Sequence, residues 1–247
     1  MKIVVAGISG NLGKSTLSAH MLVPRMENAK LLIVESINQD TQDLVGESQK
    51  IRGEEFKKIY MQLVLYENLV VDVGASNAEA FFEGLSSFSQ GYDEVDFFVI
   101  PVVPGVKEQA DSITTARMLS AMGVEKDKIR IVFNRVKRSV EEEFPEILDA
   151  ANNFDCFIAN TKCAVYENDI YEDLADLRMP LADACTLARN KLEELKQCLR
   201  VAAYDPIEFA YAMKKLNVAK KAINTCTHLD EAFESLFEEA GNAGLQR

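Results

Sequence analysis

The stretch Lys2 to Thr16, KIVVAGISGNLGKST, constrains the fold more than any other part of the chain. An apolar run (Ile3, Val4, Val5, Ala6) leads into a glycine-rich turn, and Lys14-Ser15-Thr16 then open an amphipathic segment carrying Leu17 and Met21. Gly10 and Gly13 free the backbone to curl tightly and aim its N–H groups at one point. A helix starting at Lys14 adds free amides and the positive end of its dipole. A turn of this kind needs a buried strand before it and a helix after it. The segment therefore asks for a strand–loop–helix unit in an α/β protein.

The chain beyond supplies the matching pattern. Short runs rich in Val, Ile, Leu and Phe occur at Lys2–Ala6, Leu31–Glu35, Leu69–Asp72, Asp96–Ile100, Ile129–Phe133 and Asp155–Ala159, without clean polar alternation. Strands covered on both faces read this way, as in parallel sheets. Helical patterns separate them at Lys14–Val23, Glu54–Tyr66, Ala78–Ser89, Glu108–Met122 and Val140–Ala151. The alternation predicts an α/β fold with a doubly wound, mostly parallel sheet, plus a C-terminal helical extension. We assign residues 1–200 to the phosphate-loop domain and 201–247 to the extension, expected to pack on the same domain. Asp205-Pro206-Ile207-Glu208 reads as an N-cap, Pro at the first helical position and a capping-box Glu. The helix it starts carries Phe209, Met213, Leu216 and Ile223 on one face, and Thr227-His228-Leu229-Asp230 reads as the start of a last helix.

Composition narrows the setting. No run of about 18 apolar residues exists, so no membrane span is expected, and the N-terminus lacks the apolar core of a secretory signal. The expected location is cytoplasmic. Cys156, Cys163, Cys185, Cys198 and Cys226 show no C-x-x-C spacing and are expected to be reduced core thiols. With two histidines, a His-rich metal site is excluded. The net charge of −12 repels nucleic-acid backbones at long range, which counts against a stand-alone DNA binder. Local basic groups occur at Arg135/Lys137/Arg138 and at Lys214/Lys215 with Lys220/Lys221, most simply as solvated charges.

Four groups of residues carry chemistry. In the first, Ser9, Gly10, Asn11, Leu12, Gly13, Lys14, Ser15 and Thr16 form the cradle: Lys14 reaches the β- and γ-phosphates of a nucleotide, and the Ser15 hydroxyl binds Mg²⁺. The first Gly of the G-x-x-x-x-G-K-[ST] pattern is replaced by Ile8, with Gly7 one residue early. Next, Leu69-Val70-Val71-Asp72-Val73-Gly74 ends an apolar run in a carboxylate suited to the Mg²⁺, and Gly74 is placed to offer its amide to the γ-phosphate. Leu31-Leu32-Ile33-Val34-Glu35 ends the same way, so Glu35 is a third metal-site candidate. Lastly, Asn134 in Phe133-Asn134-Arg135 has an amide that can pair with an adenine edge. Lys14 and Asp72 are the candidate catalytic residues.

In this order the four resemble the ParA/MinD family of P-loop ATPases, which includes plasmid-partition motors. Val99-Ile100-Pro101-Val102-Val103-Pro104, with the helix from Glu108, is similar to that family's strand and loop after its second carboxylate. Ser9 to Thr16 and Glu35-Ser36-Ile37-Asn38 resemble the StbB-type plasmid stability proteins, over roughly residues 1–195. The resemblance implies ATP and Mg²⁺ as cofactors, a nucleotide-dependent homodimer, a DNA-binding adaptor protein as partner, weak non-specific DNA contact, and a role as nucleotide switch in plasmid partition or conjugation. Two positions depart from it. The family's signature Lys falls at Ser9 and its usual catalytic Asp at Ile37, so hydrolysis by the family's mechanism lacks two of its groups. Lys107, Arg135 and Asp40 are candidate substitutes. Two other readings stand beside the switch: a metabolic enzyme phosphorylating a small acid, and a nucleotide-binding scaffold without turnover.

Overall fold

The computed structural model describes residues 1–35, 49–88 and 91–238. Seven strands form one sheet: β1 (Lys2–Val5), β2 (Lys30–Val34), β3 (Gln49–Ile51), β4 (Leu69–Val73), β5 (Phe97–Val102), β6 (Ile129–Val136) and β7 (Ala164–Tyr166). Their order is β3-β2-β4-β1-β5-β6-β7, and every pairing is parallel. β4 is buried along its whole length, and Ile3, Val4 and Val5 of β1 are fully buried between β4 and β5. This double-sided burial is why these strands lack alternation. Both neighbours of β1 are sequence-distant strands, so the segment after β1 emerges at the carboxyl edge of the sheet's centre, where open α/β sheets place their ligands.

The crossover segments are α1 (Lys14–Leu17), α2 (Phe56–Leu65), α3 (Ala78–Ser87), α4 (Val106–Ala121), α5 (Val140–Glu143) and α6 (Pro145–Asn153). α1 passes into a π-helical turn at Ser18–Leu22. Phe56 and Phe81 meet edge-to-face with ring centroids 5.5 Å apart, and Phe133 meets Phe144 the same way at 5.0 Å. Each such pair adds about 1 kcal/mol beyond the area it buries.

Several elements differ from expectation. The edge strand is β7; Asp155–Ala159 contributes only one bridge, Arg130 with Ile158. β3 was not foreseen. The helix expected over Val140–Ala151 is two, because Pro145 cannot continue α5 and instead takes the first position of α6. The separate last helix from Thr227 is absent, and one helix, α10, runs over Pro206–Phe237 once α7 (Ile170–Asp176), α8 (Leu181–Asn190) and α9 (Leu192–Val201) have been passed. The Thr225 and Thr227 hydroxyls donate to the carbonyls of Lys221 and Ile223 one turn back. Their hydrogen bonds are satisfied inside the helix, so no cap forms there.

The chain divides into two compact units, Met1–Glu167 with the segment from Glu231, and Asn168–Asp230. In the first unit the end of α10 joins the sheet region: Asn160 Nδ2 donates to the Ser235 carbonyl (2.9 Å), Arg130 to the Glu238 carbonyl (3.1 Å), and Phe97 packs on Phe237. In the second unit Lys221 pairs with Asp169, and Lys214 with Asp173 and Asp176. Cys185 and Cys226 are paired, contrary to the expectation of separate thiols, although their Cα atoms lie 7.4 Å apart, wider than disulfides usually span. Cys198 is exposed rather than in a core.

The α10 start follows its sequence signal. Asp205 Oδ1 accepts from the amides of Ile207 (2.9 Å) and Glu208 (3.2 Å). Asp205→Ala is expected to cost about 1 kcal/mol, read by denaturant melts, with faster amide exchange at those two residues. Unchanged exchange there would refute the cap.

Candidate functional site

The loop between β1 and α1 is shaped by two left-handed residues, Asn11 (φ 57°) and Gly13 (φ 81°). Gly13 is also the N-cap residue of α1, and its carbonyl accepts from Leu17 N at 2.9 Å. A Cβ on Gly13 would lie 2.3 Å from Asn134 Nδ2, so only glycine lets the loop rest on that side chain. A Cβ on Gly10 would meet nothing within 4 Å, so the loop wall there is open. Helix α4 pins the loop's beginning: Ile8 N donates to Thr115 Oγ1 (3.4 Å), and the Ser9 hydroxyl to the Asp111 carboxylate.

Lys14 is buried and folds back over the loop. Its ammonium donates to the carbonyls of Ser9 (2.8 Å) and Gly7 (3.3 Å). Burial lowers its pKa, and the carboxylates of Asp72 and Glu35 work against that. Asp72, 2% exposed at the end of β4, has its pKa raised to about 6 by burial, with opposition from a Ser15 hydrogen bond and the Lys14 charge. Its Oδ1 is buried without a hydrogen-bond partner. A buried carboxylate oxygen left this way lacks a cation or donor, since satisfying such atoms is the rule in folded proteins. Glu35 lies against Gly74, whose Cβ position is 3.1 Å from Glu35 Cγ, and its charge reaches both Lys14 and Asp72.

Residues Gly10 to Thr16, Glu35, Gly74, Ala75, Ser76 and Arg135 line one cavity of about 490 Å³. The fold thus brings the loop and Glu35 together at this cavity, with Asp72 buried against Ser15 and Lys14. Two residues do something other than expected. Asn134 is buried, and its Nδ2 donates to the Leu12 carbonyl at 2.8 Å; it supports the loop from beneath, and pairing with adenine would require that bond to break. The Gly74 amide donates to the Val34 carbonyl at 2.9 Å, so it ties β4 to β2 and is not offered to a phosphate. Ile37 and Asp40 lie outside the described residues. Among those described, no cluster of three His, Cys, Asp or Glu side chains could hold a metal by itself. The donor set fits Mg²⁺ held partly by a ligand: one hard carboxylate oxygen, one hydroxyl and a second carboxylate nearby.

Sequence reasoning missed Asp111 and Thr115. Their four-residue spacing puts them on one face of α4, which was the available signal.

No protein-family model matches the sequence, and no relative is found among curated proteins. The fold has solved counterparts. It is similar to the MinD cell division protein of Aquifex aeolicus, with 16% identity over 91% of this chain and 97% of that one and a TM-score of 0.51. The Aquifex MinC:MinD cell division protein complex matches with 15% identity, covering 90% and 96% and scoring 0.50. McdA from Cyanothece, in its apo form, matches with 14% identity, 90% and 98% coverage, and 0.50. The chain therefore has the α/β fold seen in these MinD and McdA structures.

Proposed function

We propose that the chain is an ATP·Mg²⁺-dependent switch of the ParA/MinD kind, acting in plasmid partition as the StbB-type proteins do. The unpartnered Asp72 oxygen beside Ser15 and Lys14, at the foot of a loop only glycine can close, is the observation that carries this reading. Ser15 and Asp72, with Glu35 nearby, would hold Mg²⁺, which would neutralise charge on the β- and γ-phosphates. The ammonium of Lys14 would exchange the Ser9 and Gly7 carbonyls for phosphate oxygens, and the amides at the start of α1 would complete the cradle.

The likeness to a MinC:MinD complex supports a partner that reads the nucleotide state. We assign DNA contact to a DNA-binding adaptor, because five of the basic side chains in the chain's two local basic groups are engaged within the chain. Lys214 and Lys221 are ion-paired, Lys137 pairs with Glu167, Arg138 pairs with Glu142 and Glu143, and Lys215 sits over Tyr211. A nucleotide-dependent homodimer is the expected assembly. One observation favours the scaffold without turnover as a second reading: the residue at the signature-Lys position, Ser9, is committed to Asp111.

The test is calorimetry with ATP and Mg²⁺, and sizing with and without them. Wild type should bind, and Lys14→Ala should bind about tenfold or more weakly and lose any nucleotide-dependent assembly. Absence of heat with wild type at millimolar nucleotide defeats the reading. ATP turnover measured alone, then with DNA and adaptor, separates motor from scaffold.

A further inference from the structure

Arg135 is the charged cavity-lining residue that neither the loop nor the two carboxylates explain. Its backbone is left-handed, with φ 57°, a conformation that residues bearing a Cβ adopt at a cost. Unlike Asn11, it has no short polar side chain to satisfy the backbone locally. The β6–β7 ladder shifts register between Asn134 and Val136, around this residue. Irregularities of this sort recur beside functional sites, where they re-aim a side chain. Here the result is an exposed arginine that lines the phosphate cavity. Among the described residues its guanidinium has no hydrogen bond or ion pair, while Lys137 and Arg138 next to it are both paired with glutamates.

Topology says which part of a ligand it would meet. Asp72 is the penultimate residue of β4 and Glu35 follows β2, both on one side of β1. Arg135 belongs to β6, two strands away on the other side, a distance of about 10 Å across the sheet. Metal and terminal phosphates belong with the carboxylates. A nucleotide extended along this edge therefore carries its α-phosphate and nucleoside toward β5 and β6. Asn134, holding Leu12 from below, fixes the loop at that same end.

We infer that Arg135 pairs with the α-phosphate of the bound nucleotide, so that it contributes equally to ATP and ADP. The inference rests on the nucleotide-binding reading above. A guanidinium facing a phosphate oxygen makes charge-assisted hydrogen bonds stronger than neutral ones, and the strained backbone keeps it aimed before the ligand arrives.

The experiment titrates wild type, Arg135→Ala, Arg135→Lys and Arg135→Gly with ATP·Mg²⁺ and separately with ADP·Mg²⁺ by calorimetry, and melts each protein in denaturant without nucleotide. Arg135→Ala should weaken both nucleotides about tenfold and by the same factor, leaving their ratio unchanged. Arg135→Lys keeps the charge and should recover part of the loss. Arg135→Gly should bind as weakly as the alanine variant yet resist denaturant better than wild type, since glycine relieves the backbone. Unchanged affinities in Arg135→Ala, a loss confined to ATP, or a lysine variant no better than alanine would each overturn the assignment. Wild type binding neither nucleotide would instead overturn the functional reading itself.

Discussion

Asp72→Asn should make the nucleotide-free protein more stable at pH 7.5 while removing the gain in ATP affinity that Mg²⁺ gives to wild type. The carboxyl is 2% exposed, and its pKa is raised to about 6. Raising an acid's pKa on folding means that the folded state binds the proton more tightly than the unfolded chain does. The contribution to stability is therefore complete below about pH 4, declines as pH rises, and is gone above about pH 6. Keeping the side chain ionised at neutral pH costs about 2–3 kcal/mol on this basis. An asparagine carries no charge, so part of that cost disappears. The stability difference between variant and wild type should be small at pH 4.5 and reach about 1–2 kcal/mol at pH 7.5. Denaturant melts at the two pH values measure it. The same gain at both values would show that the charge is not the source. Magnesium separates the two roles: it should tighten ATP binding by wild type and leave Asp72→Asn unaffected, because an amide oxygen is a poor substitute for an anionic ligand.

Gly13→Ala should be the most damaging single methyl in the loop. Two independent costs meet there. The left-handed backbone at φ 81° disfavours any residue with a Cβ by about 1–2 kcal/mol. The added carbon would also lie 2.3 Å from Asn134 Nδ2, which must move and release the Leu12 carbonyl, at a further cost of about 1–2 kcal/mol. The sum is a loss of about 2–4 kcal/mol, with nucleotide affinity falling as the loop deforms. A double variant with Asn134→Ala distinguishes the two contributions. It removes the collision but not the strained backbone, so its destabilisation should be less than the sum of the single losses. Strict additivity would mean that the glycine and the asparagine are not in contact.

How much of this was legible follows from which forces act locally. β1, β2, β4, β5 and β6 were readable because burial on both faces leaves runs of apolar residues with few polar positions in them, and the loop was readable because glycine and lysine spacing encodes it directly. β3 was not, since three residues flanked by polar side chains carry no pattern. Pro145 was a legible stop that the continuing run of apolar positions disguised. The join at Thr227 turned on whether two threonine hydroxyls face back into the helix or forward to cap a new one, which residue identity alone leaves open. Within the site, residue type was enough to pick out Lys14, Ser15, Asp72 and Glu35, which the fold brings near one another. What Asn134 holds and where Arg135 aims are decided by a backbone dihedral and a register shift, neither of which has a sequence signature.

The lysine folded onto its own loop has a consequence for binding. With its ammonium lodged against two peptide oxygens, the side chain braces the loop from within, so on the proposed reading a polyphosphate would meet a shape already made. Binding would then be an exchange of one set of partners for another, and the side chain could return to the two carbonyls as the anion leaves.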